Sequence, residues 1–190
     1  MVSLLVLTDR RQARRPLDEV VAGAVEGGAR LVVLRERDLP DGERLGLARR
    51  LAAVLAEVGG TLVVAGPLPG WDGGVHLSTS DALPPVRPPL LGRSCHDVAE
   101  LADAAAQAVD YVTVSPVFPT VSKPGYGPPL GLAGLARLCS ATRLPVYALG
   151  GVSSAEQVAD CRAAGAAGVA VMGVVMRAAD PAGVVKELLS

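Results

Sequence analysis

The sequence has few aromatic residues, and this scarcity limits how a core can be built from it. Phe, Trp and Tyr make up 3% of the 190 residues, whereas hydrophobic residues as a whole make up 50%. A half-apolar composition excludes an intrinsically disordered chain. The core must therefore consist of small aliphatic side chains packed between regular elements. At ~150 residues per domain, we expect residues 1–190 to form a single domain.

An excess of charge of either sign is also absent. Eighteen basic and nineteen acidic residues give a formal net charge of -1, which leaves no electrostatic footprint for nucleic acid or an anionic membrane. No apolar run reaches the ~18 residues that a membrane span needs. The apolar run at the start of the sequence is too short for a signal peptide. We therefore expect neither a nucleic-acid partner nor a membrane partner.

Cysteine is scarce and widely spaced. Cys95, Cys139 and Cys161 are the three cysteines, and no two of them form a CxxC pair. An odd number at such spacing argues against a disulfide framework and against a zinc site. The cysteine usage predicts a protein of the reducing cytoplasm.

Short apolar runs recur along the whole chain and predict its strands. They lack polar alternation, which is typical of parallel strands buried on both faces. Between them, apolar residues recur at helical spacing; Ser153 with Glu156 forms a capping-box pattern, and Asp180 precedes Pro181 at the start of a last helix. The eight candidate strands are "SLLVLTD", "RLVVLRE", "TLVVAG", "GGVHLS", "PLLGRS", "DYVTVSP", "PVYALGG" and "AGVAVMG".

Two connections interrupt the alternation of strand and helix. The segments "GPLPGWDG" and "STSDALPPVRPP" are too short and too rich in Pro and Gly for full helices. Eight parallel strands with most helices present predict a closed (β/α)8 TIM barrel with one or two helices short or missing. A doubly wound open sheet is the rival architecture, and the number of strands favours the barrel.

Polar and glycine residues collect where the predicted strands end, which is the catalytic face of such a barrel. Gly150-Gly151 and Met172-Gly173 follow the last two strands, where phosphate commonly binds, although a glycine pair can also serve only a tight turn. Arg35 follows the second strand, and an arginine at the end of a buried strand needs an anionic partner. His76 lies within a strand, and we interpret it as a core histidine rather than a catalyst.

The stretch "VSPVFPTVSKPGYG" follows the sixth strand and carries Thr120, Ser122 and Lys123. It lies at the predicted catalytic rim and is long enough to fold over a ligand. A solvated loop with no ligand is the alternative, and the pattern alone leaves both open.

Six motifs in order give the chain a family resemblance. They are "LRERDLP", "GVHLSTSD", "LGRSCH", "DYVTVSPVFPTVSKPGYG", "PVYALGGV" and "AGVAVMG". Together they resemble the thiamine phosphate synthase/TenI superfamily, a (β/α)8 barrel, over most of the chain, and "PVFPTVSK" is the most specific piece. Synthases of this superfamily join a pyrimidine pyrophosphate to thiazole phosphate and release pyrophosphate.

The resemblance implies roles for individual residues. It assigns pyrophosphate and thiazole binding to the loop after the sixth strand and to Ser94, and it assigns the thiazole phosphate to the two glycine-bearing strand ends. In a synthase, Asp81 would be a Mg²⁺ ligand. The implied binding residues are Ser94, Thr120, Ser122, Lys123, Gly150, Gly151, Met172 and Gly173.

The chain also departs from the synthase pattern. Synthases usually carry Asn-Asp after the third strand, where this chain has Ala65-Gly66, so that Asp81 is left alone. The "RER" form with Arg35 and Arg37 and the "GRSxH" form look more like the TenI branch. Its known activity, isomerisation of a carboxythiazole phosphate, needs no metal. The histidine base of that branch falls at Pro116.

Our leading hypothesis from the sequence is a TenI-like thiazole tautomerase of thiamine biosynthesis that needs no cofactor. Arg35, Arg37 and Lys123 would meet the substrate, with Lys123 among the catalytic groups and His96 or Asp81 as the base. One alternative is a thiamine phosphate synthase with Mg²⁺ at Asp81. Another is a non-catalytic regulator that binds thiazole or thiamine phosphate. Missing helices suggest a possible homodimer.

Overall fold

The computed structural model describes residues 3–120 and 128–190. None of the helices in this part of the chain is both long enough and apolar enough to cross a membrane. In chain order, the elements are β1 (Leu4–Leu7), α1 (Leu17–Glu26), β2 (Leu31–Leu34), α2 (Asp41–Ala56), β3 (Thr61–Ala65), β4 (Gly74–Leu77), β5 (Leu91–Cys95), α3 (Val98–Ala106), β6 (Tyr111–Val114), α4 (Gly131–Ser140), β7 (Val146–Leu149), α5 (Ala155–Ala163), β8 (Gly168–Val171), α6 (Gly173–Met176) and α7 (Pro181–Leu189).

The eight strands form a closed parallel barrel in sequence order. Leu5 of β1 is in register with Leu31 of β2 on one side and with Ala170 of β8 on the other, which closes the ring. The predicted (β/α)8 TIM barrel is confirmed, and the open sheet is wrong. Strands buried on both faces explain the absence of polar alternation in the sequence.

Each strand packs apolar residues on its two faces. Inside the barrel, Leu5, Val33, Val63 and Ala170 form a small cluster that includes two tyrosine rings. On the outer face, alternate residues such as Val6 pack under the helices in a larger cluster. Aliphatic side chains thus supply nearly all of the core, as the shortage of aromatic residues predicts.

The connections β3–β4 and β4–β5 contain no helix, and buried arginines occupy the space beside them. Arg44 of α2 is 3% exposed and donates to the carbonyl oxygens of Ala65 and Pro67. Arg93 of β5 is 8% exposed and donates to the carbonyls of Thr79 (3.1 Å) and Asp81 (2.9 Å). A guanidinium group with several donors satisfies loop carbonyls that no helix covers.

The sequence predicted the start of two helices, α5 and α7. The prediction for α7 is confirmed, and the one for α5 is wrong by one residue. Asp180 caps α7 by accepting from the Gly183 N–H. The capping box predicted at Ser153 and Glu156 is wrong by one residue, because Ser154 is the N-cap of α5 and accepts from the Gln157 N–H. Gln157 in turn accepts from the Ser153 N–H. Two adjacent serines make either one a possible N-cap in the sequence, and the structure uses Ser154.

The buried Arg93 provides a test of how the β4–β5 connection is held. We expect Arg93→Ala to lower the free energy of unfolding by about 1–3 kcal/mol, since two loop carbonyls lose their donor. Arg50→Ala, at an exposed pair with Asp18, is the matched control and should cost less than about 1 kcal/mol. Chemical denaturation measures both. Equal losses would show that Arg93 contributes no more than a surface cation.

Candidate functional site

A cavity of about 750 Å³ opens at the carboxyl ends of the strands. Most predicted site residues within the described part of the chain line it together. Asp81 is not among the lining residues, and Ser122 and Lys123 lie outside the described residues. The predicted residues that line the cavity are Arg35, Arg37, Ser94, His96, Thr120, Gly150, Gly151, Met172 and Gly173.

The glycine pair after β7 is required by the backbone. Gly150 and Gly151 have φ values of +102° and +74°, which L side chains rarely adopt. A Cβ atom on Gly151 would lie 2.6 Å from Phe118 Cβ. This close packing against the loop after β6 accounts for the pair by itself. Phosphate binding at these glycines therefore stays a prediction.

Arg35 places a cation in the cavity without a carboxylate to neutralise it. Its guanidinium group reaches across to the thioether sulfur of Met172. Within residues 3–120 and 128–190, no Asp or Glu oxygen lies within 4.0 Å of it, although six other ion pairs form. A half-buried, uncompensated guanidinium favours an anionic ligand.

Arg37 and Asp81 form a bidentate ion pair at the rim. The Arg37 nitrogens lie 3.0 and 2.9 Å from the two carboxylate oxygens. Asp81 Oδ2 also accepts from the backbone N–H and the hydroxyl of Ser78, both at 2.8 Å. Burial by itself would raise the pKa of Asp81, but the hydrogen bonds from Arg37 and Ser78 outweigh it and lower this pKa to about 2. Such a carboxylate is a poor proton acceptor near neutral pH.

The residues at this rim do not suit Mg²⁺, which prefers several carboxylate and phosphate oxygens. Both oxygens of Asp81 are engaged by Arg37 and Ser78. No group of three or more acidic, His or Cys side chains able to hold a metal occurs in the described residues. Gly66, at φ +73°, stands where a second carboxylate would be expected, and a Cβ there would lie 2.9 Å from Arg37 Cζ. The guanidinium of Arg37 occupies that space.

His96 and Pro116 both line the cavity. The Nδ1 atom of His96 lies 2.8 Å from the carbonyl oxygen of Ser115. Because a carbonyl only accepts, Nδ1 must carry the proton and Nε2 is the basic nitrogen of the neutral ring. Pro116, which the family resemblance places where the TenI branch has its histidine base, has no group that transfers a proton.

His76 lies inside the barrel at the wall of the cavity, with polar partners on both ring nitrogens. Nδ1 lies 3.1 Å from the Tyr111 hydroxyl, and Nε2 lies 3.0 Å from the Ser94 hydroxyl. Burial first, and then the charge of Arg35, lower the pKa of His76 to about 4. The histidine is therefore neutral near pH 7, in agreement with its interpretation as a core residue.

Sequence reasoning missed several polar residues of the cavity. Buried Glu36 accepts from the Thr8 hydroxyl at 2.7 Å and from Arg10. Arg177 lies against Gly173 and donates to Gln12. The spacing of four residues between Gly173 and Arg177 could have revealed this cation, had the short helix α6 been predicted.

The pKa of Asp81 yields a test by acid unfolding. Its folded value, about 2, is below the ~3.9 of an unfolded chain, so the ion pair stabilises the fold above about pH 4 and is lost toward pH 2. Asp81→Asn should therefore be less stable than the wild type at pH 7, and the difference should vanish near pH 2. Asp18→Asn is the exposed control. Parallel stability curves for Asp81→Asn and the wild type would contradict the assignment.

Comparisons with known proteins agree with this architecture. A family model described as thiamine monophosphate synthase matches residues 4–175. A putative thiamine-phosphate synthase from Geobacter sulfurreducens is 39% identical, over 99% of this chain and 93% of the relative. A thiamine-phosphate synthase from Salinispora arenicola is 38% identical, over 94% of this chain and 91% of that protein.

Solved structures share the fold over nearly the whole chain. The thiamine phosphate pyrophosphorylase from Pyrococcus furiosus superposes with a TM-score of 0.86 at 28% identity, over 99% of this chain and 94% of that one. A geranylgeranylglyceryl phosphate synthase from Thermoplasma acidophilum, at 11% identity and a TM-score of 0.69 over 99% of this chain and 92% of that one, shares the barrel alone. With a family model that spans most of its length and relatives above 30% identity, this chain belongs to the thiamine monophosphate synthase family.

Proposed function

We propose that the protein is a thiamine-phosphate synthase, which couples a pyrimidine pyrophosphate to a thiazole phosphate. The relatives named above support this synthase more than the tautomerase that we favoured from the sequence. Pro116 in place of the tautomerase base points the same way. The proposal thus replaces our leading hypothesis by its first alternative.

The observation that carries the proposal is a pair of uncompensated guanidinium groups in one cavity. Arg35 and Arg177 both line it, and neither has a carboxylate within 4.0 Å in the described ranges 3–120 and 128–190. The Arg35 guanidinium contacts the sulfur of Met172, and Arg177 lies against the next residue, Gly173. Both cations thus lie beside the Met172-Gly173 pair at the end of β8, and phosphate-bearing substrates would supply the negative charge that these cations lack.

The proposed reaction requires charge stabilisation more than proton transfer. The bond between the pyrimidine methylene carbon and the diphosphate oxygen breaks, and the electron pair leaves with pyrophosphate. The lone pair of the thiazole nitrogen forms the new carbon–nitrogen bond. Arg35, Arg37 and Ser94 would stabilise the negative charge on the leaving group, while the glycine ends and Arg177 would hold the thiazole phosphate in position. No general base is needed for this step.

The experiment that tests the function supplies purified protein with pyrimidine pyrophosphate and thiazole phosphate. Thiamine phosphate and equimolar pyrophosphate are the expected products, measured with and without Mg²⁺ because the synthases implied by the resemblance use this ion. Binding of both substrates without product would contradict the proposal and favour the non-catalytic regulator.

A tautomerase remains the second candidate, because the ring of His96 lines the cavity and histidine is the side chain that most often acts as a general base. Proton exchange at carbon of a carboxythiazole phosphate would reveal it. His96→Gln should then reduce exchange by about 10²-fold or more, as expected for loss of a general base. Exchange that persists in this variant would remove His96 as the base.

Arg35 gives the most direct test of the diphosphate position. We expect Arg35→Ala to weaken pyrophosphate binding by about 10- to 100-fold. The affinity of Arg35→Lys should lie between those of the wild type and Arg35→Ala, because lysine keeps the charge but lacks the planar guanidinium group. Calorimetry measures the affinities. Arg50→Ala is the control for a change in total charge. Unchanged affinity in Arg35→Ala would place the diphosphate elsewhere.

Lys123 stays a prediction from the sequence, together with Ser122. Lys123→Ala should weaken thiazole phosphate binding by about 1–3 kcal/mol through the loss of a charge-assisted contact. The change is measured by calorimetry against Lys186→Ala, a lysine on α7, as the control. Equal affinities in the two variants would remove Lys123 from the site.

A homodimer and a cytoplasmic location are further proposals. Leu83 and Val86 are exposed on the β4–β5 connection, Val86 at 79%, where a helix of the barrel is missing. Sedimentation of the purified protein would reveal a dimer.

A further inference from the structure

One layer of the barrel interior is polar, and a glycine makes it possible. Gly92 of β5 is in register with His76 of β4 on one side and with Tyr111 of β6 on the other. A Cβ atom on Gly92 would collide with both neighbouring rings. The rings of His76 and Tyr111 instead stack over Gly92, with centroids 5.5 Å apart and planes inclined by 27°.

The stacked rings belong to a chain of hydrogen bonds that ends at the cavity. The Tyr111 hydroxyl contacts His76 Nδ1, and His76 Nε2 contacts Ser94 Oγ. Thr113 Oγ1 also donates to Ser94 Oγ, at 3.4 Å. Tyr111 is fully inside the barrel, whereas His76 and Ser94 reach the wall of the cavity.

The direction of each hydrogen bond follows from counting protons. In residues 3–120 and 128–190, His76 Nδ1 is the one hydrogen-bond partner of the Tyr111 hydroxyl. Burial raises the pKa of Tyr111, so the phenol keeps its proton, and a buried proton needs an acceptor. Nδ1 must therefore accept. A neutral imidazole carries one proton, which then lies on Nε2 and is donated to Ser94.

The opposite tautomer would leave a buried donor unsatisfied. If Nδ1 donated to Tyr111, the phenolic proton would have no acceptor among the described residues. Burying a donor without an acceptor carries a desolvation cost that selects the tautomer in which every proton is accepted.

We propose that Tyr111 and His76 fix Ser94 as a hydrogen-bond donor into the cavity, and that His76 is thereby a positioning residue for the anion bound there. Ser94 Oγ accepts from His76 and Thr113, so its own proton is directed to the ligand. That the anion is a diphosphate rests on the proposed function; the direction of the hydrogen bonds does not.

The tautomer of His76 can be measured in the wild-type protein. The chain has two histidines, and His96→Gln assigns the ring ¹⁵N signals. We expect the protonated nitrogen of His76 to be Nε2 at pH 7. In Tyr111→Phe the Nδ1-protonated form should appear, whereas Tyr147→Phe, at the neighbouring ring of the barrel, should leave the tautomer unchanged. An Nδ1-protonated His76 in the wild type would overturn the proposal.

A double-mutant cycle then tests whether Tyr111 acts through Ser94. We expect Ser94→Ala to weaken binding of inorganic pyrophosphate by about 10-fold and Tyr111→Phe by about 3-fold. In the Ser94→Ala background, Tyr111→Phe should have no further effect. A 3-fold loss that persists in that background would show that Tyr111 affects binding by another route and would overturn the proposal.

The two proposals fail separately. If no thiamine phosphate forms, but the tautomer and the cycle behave as expected, the synthase is wrong and the role of His76 stands. If thiamine phosphate forms and the cycle is additive, the synthase stands and the positioning role falls.

Discussion

The hydrogen bonds between β1 and β8 close the barrel, and the other features of the molecule depend on this closure. A closed parallel sheet has no free edge, and its strands are covered on both faces. The hydrophobic cluster inside the barrel consists of Leu, Val, Ala and two Tyr side chains. Polar groups that bind a ligand are therefore concentrated where the strands end, and the cavity with its arginines lies there.

Arginine serves two separate purposes in this protein, and burial distinguishes them. Arg44 and Arg93 are buried and bind loop carbonyls beside the two connections that lack helices. Arg35 and Arg177 line the cavity and have no carboxylate partner in the described part of the chain. Arg37 is intermediate, because its pair with Asp81 places a guanidinium group where a metal ligand was expected.

The polar layer inside the barrel links the core to the cavity. Gly92 provides the space for the rings of His76 and Tyr111. Because an apolar barrel offers few other hydrogen-bond acceptors, each proton of these two side chains has one acceptor among the described residues. A surface histidine could exchange its proton with water and would not direct a neighbouring serine. Burial therefore makes His76 a core residue and also, in our proposal, lets it set the direction of the hydrogen bond that Ser94 donates into the cavity.

Much of the fold was predictable from the sequence, because local patterns depend on the chain's own periodicity. The uninterrupted apolar runs indicated eight strands, and the two segments rich in Pro and Gly indicated the missing helices. The exact residue at which a helix begins was harder to predict. The sequence pattern indicated Ser153 as the N-cap of α5, whereas the structure uses Ser154.

The sequence by itself determined the barrel, the end at which its cavity opens and nine of the residues that line that cavity, because strand order brings successive strand ends to one face. Only the tertiary structure decided the partners of those residues. Arg37 and Asp81 are 44 residues apart, and Tyr111 and His76 are 35 apart. Whether an arginine is neutralised, or which histidine nitrogen carries the proton, depends on atoms that folding brings within about 3 Å, and no local pattern records that distance.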